Sequence, residues 1–272
     1  MIAAAAGLGL LVGLVVGGLG GGGGVLTLPA LVYLLGQTAQ DATTGSIVIV
    51  GITAVAGTLT RLRGGIDWRT GLAFGALGIP AAHLGTRLNE HVAPPVLLLA
   101  FAAIALLAAL AMLLDTLRPD EPEPDPPPVP GSGARTSLLT APVAPPRHRL
   151  RAAVTIAVCG VAVGFLTGFL GVGGGFLVVP ALVIALRMPI TLAVGTSLLI
   201  ILLNSVSSFA SRLGAVSLDW TVILPFAAAA VLGTIAAKPL AARLSGTALT
   251  RGFAVLLVAV GVFVAVQSVL AM

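Results

Sequence analysis

The sequence predicts an all-α polytopic membrane protein of two inverted-topology repeats, each a Gly-rich re-entrant or short-helix hairpin followed by three transmembrane helices. Three observations predict it: composition, an internal duplication, and basic residues gathered on one side. Of 272 residues, 58% are hydrophobic and only 8% charged, with mean hydropathy +1.13; soluble domains carry about 25% charged residues. So few charges cannot cover a water-exposed surface, and a multi-pass membrane protein follows.

Apolar runs fall at about 2–19, 25–36, 42–60, 68–88 and 94–114, then at 150–170, 176–187, 190–211, 218–237 and 248–271. Runs 25–36 and 176–187 hold only about 12 residues, too short to cross upright where roughly 20 are needed. The start, Met1-Ile-Ala-Ala-Ala-Ala, lacks the positive region of a secretory signal and reads as the first membrane segment. Between the two sets lies 115–149, with five of the nine acidic residues, Pro126-Pro127-Pro128 and then Arg147-His148-Arg149. That stretch cannot bury a core and reads as a disordered linker. The expected division is therefore a first repeat at 1–114, the linker at 115–149 and a second repeat at 150–272.

The duplication is explicit. Gly17–Val32 aligns with Gly168–Val183 at an offset of 151, with 11 of 16 positions identical. The same offset pairs Ser46 with Ser197 and Arg61-Leu62 with Arg212-Leu213; after one inserted residue Asp67-Trp68 pairs with Asp219-Trp220. Such repeats are typical of transporters.

The net charge is +5, from 13 Arg and one Lys against nine acids. The bases stand singly or in small groups between apolar runs, the pattern of cytoplasmic loops, which excludes nucleic acid as a partner. If the two short runs lead the chain back to the side it came from, twelve bases fall on one face and only Arg87 and Arg212 on the other. If each short run instead exits where it entered, the halves are parallel and the split is nine to five. The positive-inside rule favours the inverted arrangement, with the linker in the cytoplasm of a cell-membrane protein. Cys159 is the only cysteine, which excludes an intramolecular disulfide or zinc cluster, and neither metal nor cofactor is expected.

Gly20–Gly24 and Gly171-Val-Gly-Gly-Gly175 interrupt apolar stretches. Each glycine costs a helix interior about 1 kcal/mol relative to Ala, and open backbone facing lipid costs several more. The breaks are thus expected inside protein or along a wet cavity. Their free N–H groups, with the helix N-termini that follow, suit an anion. Gly20, Gly22, Gly23 and Gly24, with Gly171, Gly173, Gly174 and Gly175, are the candidate substrate-binding backbone. Close helix packing is the competing reading of these glycines. Gly18-x-Gly20-x-x-Gly23 fits a dinucleotide fingerprint in letters only, because it lacks the soluble strand-turn-helix context.

The duplicated Gly-x-Gly-Gly-Gly-x-x-x-x-Pro-x-Leu, each copy followed by a Ser/Thr-Gly segment, resembles the TauE/SafE family of sulfite exporters and related anion permeases. Gly171-Val-Gly-Gly-Gly175, Pro180 and Ala193-Val-Gly-Thr-Ser197 match its pattern closely. The first half departs from it in its longer glycine run and in Thr43-Thr44-Gly45-Ser46. The resemblance implies a multi-pass inner-membrane protein moving a small anion such as sulfite or an organosulfonate, often outward.

Further candidates lie within the apolar runs. Ser46, Thr196 and Ser197 offer hydroxyls to an oxyanion, with capping or back-bonding as the alternative. Asn204 stands two turns beyond Ser197 and extends the polar path, or glues helices together. Arg61 and Arg212 are candidate mouth or gate residues, or helix-end anchors. Asp67 and Asp219, each before a Trp, read as helix caps at the interface. His83 is a candidate proton carrier or an interfacial residue. No enzyme constellation appears. The expected partners are a small anion and membrane lipids. A coupling proton or sodium ion and homo-oligomerisation stay open, as do a cation-coupled organic-acid importer and a non-transporting scaffold.

Overall fold

The computed structural model describes residues 2–20, 23–37, 39–62, 64–89, 91–92, 94–116, 146–170, 175–210 and 219–270. All regular elements among them are helical. The first half runs α1 (Ile2–Leu19), α2 (Gly23–Pro29), a π-helical turn (Ala30–Leu34), α3 (Ala39–Arg61), α4 (Trp68–Asn89) and α5 (Pro94–Thr116). The second repeats the order with α6 (Pro146–Leu170), α7 (Gly175–Pro180), a π-helical turn (Ala181–Ala185), α8 (Ile190–Ala210), α9 (Trp220–Ala241) and α10 (Gly246–Leu270). Six described segments are long and apolar enough to cross a membrane: 41–61, 99–116, 153–170, 190–210, 220–241 and 246–268.

The short helices end alike, for the same chemical reason. Pro29 and Pro180 have no N–H for the helix ladder and crowd the preceding turn, and each is followed at once by five residues of π-helix. Each segment then closes with a bond that reaches back six positions, one more than at the end of an α-helix: Gln37 N–H to Leu31 O at 3.0 Å and Met188 N–H to Leu182 O at 3.1 Å. The residue before each donor is left-handed, Gly36 at φ +67 and Arg187 at φ +50, as this type of helix stop requires. The glycine break is narrower than the sequence suggests, since α2 already starts at Gly23. The first turn of a helix lacks bonded N–H groups in any case and tolerates glycine there.

Stripes of small residues set the packing. A Cβ on Gly13 would strike the Ala230 carbonyl, and one on Gly9 or Gly17 would strike Phe226 or Thr234. α1 and α9 therefore run in the same direction with their backbones nearly touching. Gly164 likewise abuts Gly78, Gly168 abuts Ala82 and Gly160 abuts Phe74, so α4 and α6 also run alike. Gly51 faces Ser205 while Gly57 faces Leu198, which makes α3 and α8 antiparallel. Gly71 faces Leu199 and Gly75 faces Leu203, which makes α4 and α8 parallel. Gly45 faces Ile223 and Gly57 also reaches Thr234, so α3 and α9 are parallel. Asp219 caps α9, accepting from the Thr221 N–H, and Asp67 accepts from the Arg69 and Thr70 N–H groups at the start of α4.

Candidate functional site

The first glycine break and the opening of α8 meet in the protein interior. Gly20 ends α1 in a left-handed conformation, φ +79, and a Cβ there would lie 2.7 Å from Val194 Cα and 2.9 Å from Ser197 Oγ. Only glycine fits both the angle and the space. The Ser197 hydroxyl, fully buried, lies 3.0 Å from the Gly20 carbonyl and 2.8 Å from that of Val194. A side chain of the second half thus clasps the corner of the first, 177 residues away. Seven residues separate Ile190 from Ser197, about 10 Å at 1.5 Å per residue, so the corner sits well inside the helical layer.

Around it the backbone approaches closely. A Cβ on Gly195 would collide with the Gly65 carbonyl in the α3–α4 connection, and Thr196 Oγ1 accepts the Asp67 N–H at 3.0 Å. Arg61, at the end of α3, donates from Nη2 to the Gly17 carbonyl at 2.7 Å. Lys238, on the last turns of α9, donates to the Thr60 carbonyl. Arg61 and Lys238 line a cavity of about 280 Å³. Gly64, Gly65, Thr191 and Leu192 complete its wall. α1, α3 and α9 therefore bring their C-terminal ends to one polar opening beside the glycine corner.

The remaining candidates are dispersed. Ser46 donates within its own helix to the Thr43 carbonyl at 2.9 Å, and Thr53, the repeat partner of Asn204, bonds the Ile49 and Val50 carbonyls. Asn204 lies deeper along α8, 8% exposed, and its Oδ1 has no hydrogen-bond partner. Gly23, Gly24 and Gly175 are buried in the first turns of α2 and α7, and His83 is exposed on α4. Gly22, Gly171, Gly173, Gly174 and Arg212 lie outside the described residues, as does most of the linker. Among the described residues no group of three His, Cys, Asp or Glu side chains is placed to hold a metal.

Lys238 is the residue that sequence reasoning passed over. Its uniqueness among the bases was a signal, but nothing in the sequence brings it to Thr60. The Gly9, Gly13, Gly17 stripe is legible in the sequence as a four-residue spacing.

Residues 5–264 match the family model described as sulfite exporter TauE/SafE. The chain is 31% identical over 263 residues to a probable membrane transporter protein of Xylella fastidiosa strain 9a5c, covering 95% of this chain and 92% of that one. It is 28% identical over 235 residues to the probable membrane transporter protein YunE of Bacillus subtilis, covering 83% of each. No solved structure matches. With a family model spanning nearly its whole length and relatives of matching extent, this multi-pass membrane protein belongs to the sulfite exporter TauE/SafE family of transporters.

Proposed function

We propose that the protein is a permease for a small oxyanion, such as sulfite or an organosulfonate, and that the anion binds on the backbone of the two glycine corners. The observation that carries the reading is the buried left-handed Gly20 corner, packed against Val194 and Ser197 of the other repeat, beside a cavity lined by two cations. The Gly20 N–H is itself bonded to the Val16 carbonyl at 2.8 Å, so the proposed donors are those of the glycines that follow it and of their repeat equivalents. Backbone N–H groups with positive charge at the opening are the chemistry an oxyanion needs. Gly22, Gly171, Gly173 and Gly174 extend this binding set by repeat symmetry, with Arg212 as the second mouth.

The working cycle is alternating access between two inverted repeats, 1–114 and 150–272, joined by a cytoplasmic linker. The pairwise helix directions support it: chained together through α9, α3, α8 and α4, they set α1 against α6, the first helices of the two halves. A second reading, coupling to a cation, is favoured by the buried and unpartnered Asn204 Oδ1, an oxygen suited to accept from or coordinate a positive ion.

The test is flux in sealed liposomes for sulfite, sulfoacetate, sulfate and carboxylates, with and without imposed proton and sodium gradients. Movement of sulfite or sulfoacetate is the expected result; exclusive movement of carboxylates, or none, rejects the substrate class. Dependence on a gradient assigns the coupling ion.

A further inference from the structure

The cavity at the C-terminal ends of α3 and α9 and the start of α8 is lined by two cations, Arg61 and Lys238. Arg61 Nη2 is tied to the Gly17 carbonyl at 2.7 Å and Lys238 Nζ to the Thr60 carbonyl, and both side chains line the same space of about 280 Å³. Each carbonyl lies in the last turn of its helix, α1 or α3, where backbone oxygens lack helical partners and the dipole is negative. These bonds use one N–H of each cation. A guanidinium has five such donors and an ammonium three, so both groups are held in place by backbone with donors left over. A ligand meeting them does not have to order two long side chains, which is a main cost of binding at a surface. Gly64 and Gly65 leave the wall without side chains, and the Gly20 corner lies against the next turns of α8, at Val194 and Ser197.

The geometry points to a capture site at the mouth of this cavity for a small sulfite- or sulfonate-class oxyanion, in which Arg61 supplies a planar fork and Lys238 a point charge. The inference rests on the anion-transport reading and adds to it a second binding position and a residue, Lys238, outside the glycine corners. Duplication makes the site one-sided. The insertion that sets Asp67-Trp68 against Asp219-Trp220 places Thr86 opposite Lys238 in the repeat. The Thr86 hydroxyl lies 3.0 Å from the Ala82 carbonyl and 3.5 Å from that of Gly168. A neutral hydroxyl stands where the other repeat carries a full charge.

Lys238 is the only lysine in the chain, so reductive methylation followed by mass spectrometry of its peptide reads this position alone. In the detergent-solubilised full chain, methanesulfonate should slow methylation of Lys238 as its concentration rises, where equal chloride does not, and Arg61→Gln should remove the protection. In liposomes Lys238→Gln should raise the KM for sulfite presented at the Arg61 face about tenfold, the loss expected of one charge-assisted hydrogen bond. Its maximal rate from that face should hold, and Lys238→Arg should restore the wild-type KM. Absence of protection, an unchanged KM, or a fall in maximal rate alone overturns the capture site. Protection by phosphatidylglycerol but not by methanesulfonate identifies a lipid headgroup as the ligand and also overturns it. Wild-type liposomes that move no sulfite or sulfonate reject the transport reading instead, whereas intact flux with an unprotected Lys238 rejects only the capture site.

Discussion

Gly20 and Gly36 both hold positive φ, at +79 and +67, but for different physical reasons. A Cβ on Gly36 would meet nothing within 4 Å, whereas one on Gly20 would press on Val194 Cα at 2.7 Å. Gly36→Ala therefore isolates the backbone term and should lower stability by about 1 kcal/mol. Gly20→Ala adds an overpacking term against the α8 backbone and should cost about 2–4 kcal/mol. Thermal unfolding of both purified variants in one detergent checks the difference. Equal losses would mean that α8 yields to the new methyl group and that the corner is loosely held.

At the scale of elements, the duplication preserved devices more faithfully than residues. Both short helices pass through a proline into a π-helical turn and stop on a left-handed residue, although that residue is Gly36 in one half and Arg187 in the other. The helix pairs repeat as well: Gly9, Gly13 and Gly17 meet α9 as Gly160, Gly164 and Gly168 meet α4. Without a hydrophobic driving force between helices in lipid, such contacts must be close to be stabilising. Gly13→Val, whose Cβ would strike the Ala230 carbonyl, is expected to cost about 3 kcal/mol and to broaden or abolish the monodisperse peak in size-exclusion chromatography. Gly7→Val on the same helix, with nothing within 4 Å of its Cβ, should behave as wild type. Equal behaviour of the two variants would refute the wedge explanation.

For the whole molecule, the helix directions and the positions of the bases lead to one statement about sidedness. α1, α3 and α9 run one way and α4, α6 and α8 the other, so the ends of α3 and α9 share a face that the α4–α5 connection does not. In a Cys159→Ser background, Leu62→Cys and Ser245→Cys should react with an impermeant maleimide from the same side of a sealed vesicle. His91→Cys should react only from the opposite side. Labelling of Ser245→Cys from the side of His91→Cys, as parallel halves require, would defeat the inverted arrangement and, with it, the proposed cycle. The same experiment identifies the face of the Arg61 and Lys238 cavity as the one that carries most of the positive charge.

Composition, repeat and element boundaries were readable from the sequence because each is a local sum. A run of apolar residues at 42–60 becomes α3 at Ala39–Arg61, a glycine run ends α1, and a proline falls where the short helix widens, whatever the rest of the chain does. The family was readable for the same reason, since its motif is contiguous. What only the tertiary structure decided is which side chains meet: Ser197 with Gly20, Arg61 with Gly17, Lys238 with Thr60. Helices that are apolar nearly all round give little sign of which face turns inward. Their rotation and register are set by small residues and by bonds between distant turns, and these exist only once the helices are side by side.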